Sequence, residues 1–293
     1  MQKICIGMIV EEGAERLKET LSSLAANTTQ AYELLLVLDR PDSAAEELAA
    51  EMRSKEQART DAALGSAACF NKLIEQPADV YVLLESGIQV APGWLDHLLA
   101  AFRNYPKCGL VGPSTNRTWN EQCLFPNARN AEQELRNIAL VGSQRFGITC
   151  RSLEPLYSLG DFCYVVRREV IEVVGQADER YGLGPCWEMD YNVRAARAGF
   201  QGLWACAAYV HRALPTARKS SNEAQHFDNS KHLYQDKFCG LHLRGEKSSY
   251  RPHCRGDECP NFAPPELLGL GRTPASPLAV NVRAPLVTLS VGR

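Results

Sequence analysis

Apolar residues in the first half of the chain fall into two alternating textures. Ile4 to Val10 and Glu33 to Leu38 are apolar runs of strand length, whereas Ala14 to Ala26 between them sets Leu17, Leu21 and Leu24 on one helical face. A strand, a crossover helix and a second strand make a βαβ unit, the signature of a parallel sheet. The alternation continues. Ser43 with Glu46 three residues on forms a capping box that opens a helix carrying Leu48 and Met52. A further helix spans about Ser66 to Glu75, Val80 to Leu84 is a buried strand, Trp94 to Arg103 is helical and Gly109 to Val111 is a short strand. The pattern predicts an α/β fold with a mostly parallel central sheet covered by helices on both faces.

Beyond Pro113 the texture changes. Ser114 to Asn127 is a polar loop, a helix follows from about Asn130 to Ala139, and Phe162 to Val166 is a strand leading into a helix through Val173. Gly182, Gly184 and Pro185 then interrupt regular structure, and a helix runs from about Trp187 until Gly199 ends it. Glu188 falls in its first turn, where the positive helix end favours a carboxylate and burial beside Trp187 opposes it; such a group can accept a proton. Asp190 and Arg194 are four apart and expected to pair. The run Gly202 to Val210 reads as a strand from which His211 emerges, placed to ligate a metal or touch a phosphate. Leu214 to Asp228 is polar and reads as a mobile loop, with His226 and His232 assigned to it as solvated side chains that a closing lid could use. Past Phe262 the chain is rich in proline and small residues, a tail without period. This divides the chain into a domain over 1–245 and an extension over 246–293.

Composition narrows the function. A net charge of -2 gives no basic surface for nucleic acid, and no apolar run is long enough to span a membrane, so a cytoplasmic protein with no integral membrane contact is expected. Eleven cysteines is a high and odd number, but Cys5, Cys69, Cys163 and Cys206 sit within apolar patterns as small hydrophobes, which argues against a disulfide framework.

Several blocks, in order from Lys3 to Gly240, resemble family 2 of the inverting, nucleotide-sugar-dependent glycosyltransferases, which have the GT-A fold. They are LLLVLDRPDS, GSAACFNKL, VYVLLESGIQVAPGWLDHLL, GLVGPSTN, CYVVRREVIEVVGQADERYG, WEMDYNVRAARAGF and AYVHR. The resemblance implies a nucleotide-sugar donor, UDP-linked in the first instance, and an acceptor glycan, peptide or protein. Asp39 and Asp42 would hold the base and ribose, Gly65 and Asn71 belong to the helix beneath the nucleotide, Glu85 and His211 would hold the diphosphate end, and Ser86 would also touch the donor. Glu188 falls at the general-base position, a glutamate in place of the usual aspartate, with Trp187 at the acidic position before it. Trp119 and Asn120, in the polar loop, and Trp187 would lie on the acceptor side.

The metal motif departs from the family. Glu85-Ser86-Gly87 stands where Asp-x-Asp is usual, and Gly87 offers no ligand. Glu85 and His211 are expected to hold Mn²⁺ or Mg²⁺, with the diphosphate and waters completing the shell; the alternative sets Arg212, Arg218 or Lys219 against the phosphates. Cys239, His242, Cys254 and Cys259 have the spacing C-x2-H-x11-C-x4-C, compatible with a structural zinc knuckle. Two other functions compete. A catalytically silent nucleotide-sugar binding module is favoured by Gly87 and disfavoured by Glu188 and His211. A nucleotidyltransferase would need a basic Gly-rich loop after the first strand, where Val10-Glu11-Glu12-Gly13 is acidic.

Overall fold

The computed structural model of the chain describes residues 2–52, 56–60, 62–153, 159–215, 220 and 223–238. Among them a nine-stranded sheet has the order β3-β2-β1-β4-β8-β6-β9-β5, with β7 paired to β9. The strands are β1 (Ile4–Val10), β2 (Glu33–Leu38), β3 (Glu56–Arg59), β4 (Val80–Glu85), β5 (Ile88–Val90), β6 (Cys108–Thr115), β7 (Cys150–Arg151), β8 (Cys163–Arg167) and β9 (Gln201–Arg212). β1, β2, β3, β4, β6 and β9 run one way, and β5, β7 and β8 run against them, so the sheet is mostly parallel, as expected.

Helices cover both faces. Along β1, Ile4, Ile6, Met8 and Val10 join one core cluster while Cys5 and Ile9 join the other, the period-two alternation of a strand buried on both sides. The first face carries α1 (Ala14–Asn27) through Leu17 and Leu24, α2 (Ser43–Glu51) through Ala45 and Ala49, and α4 (Trp94–Asn104) through Trp94 and Leu98. The second carries α3 (Ser66–Ile74), α6 (Arg168–Val174), α7 (Trp187–Arg197) and α8 (Glu223–Phe238), with Phe70, Val170, Tyr191 and Tyr234 as their buried anchors. α5 (Glu132–Phe146) lies against β9.

Three expectations are corrected. The α2 cap is Asp42 rather than Ser43: its carboxylate accepts from the Ala45 amide at 2.8 Å and from the Gly13 amide at 2.8 Å, tying α2 to the turn that follows β1. The strand expected to end at Val210 continues to Arg212, because β5 pairs antiparallel with its last three residues; His211 therefore sits inside the sheet opposite Gln89. The segment read as a loop up to Asp228 becomes helical at Glu223. Its stripe of Phe227, Ser230 and Tyr234 is too sparse to announce a helix, and docking supplies what propensity does not: Ser230 Oγ donates to the Tyr181 carbonyl at 3.3 Å, and Lys237 pairs with Asp178 at 2.9 Å and with Asp190. His226 and His232 both lie on this helix.

All eight cysteines among the described residues are free thiols. Burial pushes the Cys5 and Cys150 thiols up to about 12, which leaves them unreactive. The expected zinc ligands Cys239, His242, Cys254 and Cys259, the extension over 246–293, and Arg218 and Lys219 lie outside the described residues.

Candidate active site

The carboxyl ends of β1, β4 and β9 and the start of α7 surround two adjoining cavities, where ligands collect in open parallel sheets. The first, of about 470 Å³, is lined by Glu11, Gly65, Ser66 and Glu85. The second, of about 520 Å³, is lined by Arg117, Trp119, Glu188 and Met189. Asp161, Pro185, Arg212, Glu223 and Phe227 line both.

Several expected donor residues brace the walls. Asp39, fully buried at the end of β2, accepts from Thr60 Oγ1 at 2.8 Å and from the amides of Leu64 at 2.9 Å and Gly65 at 3.1 Å, so it shapes the loop that enters α3. Gly65 opens α3 with φ 84°, and a β-carbon there would lie 2.1 Å from the Gly182 carbonyl oxygen; only glycine allows these two loops to meet. Asn71 donates to the Ala177 carbonyl at 3.0 Å and to Glu179 at 2.7 Å, and accepts from the Ala177 amide at 2.8 Å. It clamps the segment before the cleft loop.

On the acceptor side the residues separate. Trp119 is 44% exposed and faces the second cavity. Asn120 is buried and closes its own turn, accepting from the Gln122 amide at 3.0 Å. Trp187 lies wholly inside the core, packed on Phe70 and Tyr164, and acts on the cleft only through its indole N–H, which donates to Asp161 at 3.0 Å and to Ser66 Oγ at 2.8 Å. Ser66 Oγ in turn donates to the same Asp161 oxygen at 2.6 Å. Asp161 is thus fixed on the wall common to both cavities, a position the sequence reading missed. Its signal was an acid set between Gly160 and the apolar run that begins at Phe162.

Glu188 occupies the first turn of α7, behind Cys186, whose φ of 81° is rare outside glycine. Such strain is stored where position matters. Asp190 and Arg194 pair at 2.6 Å, as expected, and Asp190 also accepts from the Tyr181 hydroxyl at 3.0 Å; these bonds anchor the helix. Glu188 itself is 1% exposed, yet it lines the second cavity, and its Oε2 has no hydrogen-bond partner among the described residues. Burial, and then the nearby Asp161 charge, raise its pKa well above the ordinary carboxylate value.

The pair expected to hold a divalent cation is not assembled. Glu85 Oε1 accepts from Arg212 Nε at 2.7 Å. Successive side chains of β9 point to opposite faces, so while Arg212 reaches Glu85, His211 turns the other way, its Nδ1 3.2 Å from the Tyr209 hydroxyl. Burial lowers the His211 pKa. Among the described residues no group of three or more His, Cys, Asp or Glu side chains is placed to hold a metal ion. Burial works against the Arg212 charge, but Glu85, with Asp161 and Glu188 beyond it, holds the guanidinium pKa above its usual value.

No protein-family model matches the chain. It is 27% identical over 177 residues to N-acetylglucosaminyl-diphospho-decaprenol L-rhamnosyltransferase from two strains of Mycobacterium tuberculosis, a match over 55% of this chain and 57% of those relatives. The chain thus spans little more than half the length of the curated relatives it matches. Among solved structures it is similar to GalNAc-T7 with UDP, GalNAc and Mn²⁺ (TM-score 0.56, 15% identity, 74% of this chain and 44% of that one). It is also similar to S. aureus TarS 1-349 (TM-score 0.54, 14% identity, 83% and 67%). The chain has the GT-A fold. A third likeness of that fold is to the mannosyltransferase PcManGT from Pyrobaculum calidifontis with GDP-Man and Mn²⁺ (TM-score 0.51, 12% identity, 78% and 64%). Within this GT-A chain, no helix among the described residues is long and apolar enough to cross a membrane.

Proposed function

We propose that the protein transfers a sugar, with inversion, from a nucleotide-sugar donor, UDP-linked in the first instance, to a hydroxyl of a glycan, peptide or protein. The first cavity would take the donor and the second the acceptor. The acceptor oxygen attacks the anomeric carbon as the bond from that carbon to the phosphate oxygen breaks, its electron pair leaving with the nucleoside diphosphate. Glu188, in its ionised form, takes the proton that the attacking hydroxyl loses. The reading rests above all on Glu188 Oε2. It is a buried carboxyl oxygen at a cavity wall with no hydrogen-bond partner among the described residues, and leaving such an atom unpaired costs stability unless something else binds there. An acceptor hydroxyl is the group that would complete it. Trp119 supports this by offering an exposed aromatic face in the same cavity, suited to a sugar ring.

Glu188→Gln tests the assignment. With a panel of UDP-, GDP-, CDP- and TDP-sugars, the native protein should release nucleoside diphosphate, by transfer or hydrolysis. The variant should do so at least roughly 100-fold more slowly, with donor affinity by calorimetry unchanged within about twofold. Release at the native rate would remove Glu188 from the mechanism. No release by the native protein from any donor, with donor binding retained, would favour a catalytically silent binding module.

A further inference from the structure

Three arginines meet where the family likeness leads one to expect a metal. Arg212 is stacked on the Phe162 ring, 4.8 Å from its centroid, and uses Nε on Glu85 and Nη1 on the Arg117 carbonyl at 2.9 Å. Asn116 grips its backbone from both sides, donating to the Arg212 carbonyl at 3.1 Å and accepting from its amide at 2.7 Å. Among the described residues no bond uses Arg212 Nη2. Arg117 donates to the Ala213 carbonyl and lines the second cavity beside Arg212. Arg16 donates to the Ser86 carbonyl at 3.0 Å and the Leu214 carbonyl at 2.6 Å. Its guanidinium fills the space beside Gly87: a β-carbon on that glycine would lie 2.7 Å from Arg16 Nη2. A carboxylate at residue 87 would therefore have to displace a resident cation.

The charge balance follows from these bonds. Two of the three guanidiniums, those of Arg16 and Arg117, are held by neutral carbonyls, which satisfy donors without cancelling charge; the third, that of Arg212, bonds the Arg117 carbonyl and the Glu85 carboxylate. A divalent ion brought to Glu85 would have to replace Arg212 and settle near two further cations, with neither Gly87 nor His211 to hold it. We infer that in this chain the diphosphate of a donor in the first cavity lies against the wall shared with the second, where Arg212 and, from the second cavity's side, Arg117 receive it, with Arg16 behind them, without a divalent cation. The forked guanidinium suits a phosphate, since it presents parallel N–H donors at fixed spacing. This rests on the nucleotide-sugar reading, because it names the subsite for that donor's leaving group.

Isothermal titration of UDP, GDP and pyrophosphate into the full chain, once with EDTA and once with MnCl₂, decides it. At least one nucleoside diphosphate should bind with a Kd that agrees within about threefold between the two conditions. Arg117→Met should weaken that Kd roughly 10-fold or more, the usual loss when a charge-assisted hydrogen bond is removed. Arg212→Lys, which keeps a partner for Glu85 and so guards against misfolding, should weaken it by a similar factor, because a point charge replaces the fork. Binding that appears only with MnCl₂ would overturn the arginine subsite and leave the glycosyltransferase reading standing. Absence of nucleoside diphosphate binding under both conditions would overturn both.

Discussion

A carboxyl group buried as Glu188 is resists ionisation, and this sets a pH dependence that the geometry alone would not reveal. As a proton acceptor it works only when charged, so kcat/KM should rise with pH along a limb lying above the ordinary carboxylate range, because burial and Asp161 raise its pKa. Stability should move the other way. A group whose pKa is higher in the folded state contributes stability that is fully present below its unfolded pKa and is lost as pH rises through the folded one. Glu188→Gln is neutral throughout, so its urea midpoint relative to the native protein should improve between about pH 5 and about pH 8. A constant difference across that interval would mean that Glu188 is ionised in the folded protein without cost. The residue was legible in the sequence from its place in a helix's first turn after a Gly-Pro loop. Its unpaired Oε2 was not, since that depends on which side chains of other elements decline to reach it.

Elements explain how Asp39 and Asn71, two of the expected donor residues, brace the walls of the site. Asn71 on α3 is bonded to Ala177 and Glu179, more than a hundred positions later in the chain, and so locks α3 to the segment that leads into the cleft loop and α7. Asn71→Ala would strand the Ala177 amide and carbonyl in the interior, at a cost of about 1–3 kcal/mol, read as a lowered urea midpoint; an unchanged midpoint would show that the clamp is not needed. β1, β2 and β4 were readable because each is a continuous apolar run, as strands buried on both faces must be. What escaped was decided by pairing. β3, with the polar sequence Glu-Gln-Ala-Arg, exists because its backbone joins β2, and β5 exists because β9 extends past the core. That extension also decided which of two neighbouring residues enters the cleft. Adjacent strand positions face opposite sides, so AYVHR presents Arg212 and withdraws His211, a choice fixed by register and invisible in composition.

For the whole molecule, the sheet's carboxyl ends, the start of α7 and the first turns of α8 enclose two spaces divided by one partition. Asp161, Arg212 and Glu223 stand in that partition, so whatever enters one side alters the charge felt on the other. An anion held by Arg212 would relieve the crowding of positive charge there and draw the guanidinium's influence away from Glu188. Reactants should then add in a preferred order, donor first, and meet in a ternary complex with no glycosylated form of the protein between them. Initial-rate plots against one substrate at several levels of the other should accordingly intersect rather than run parallel, and a single partition wall would be the reason.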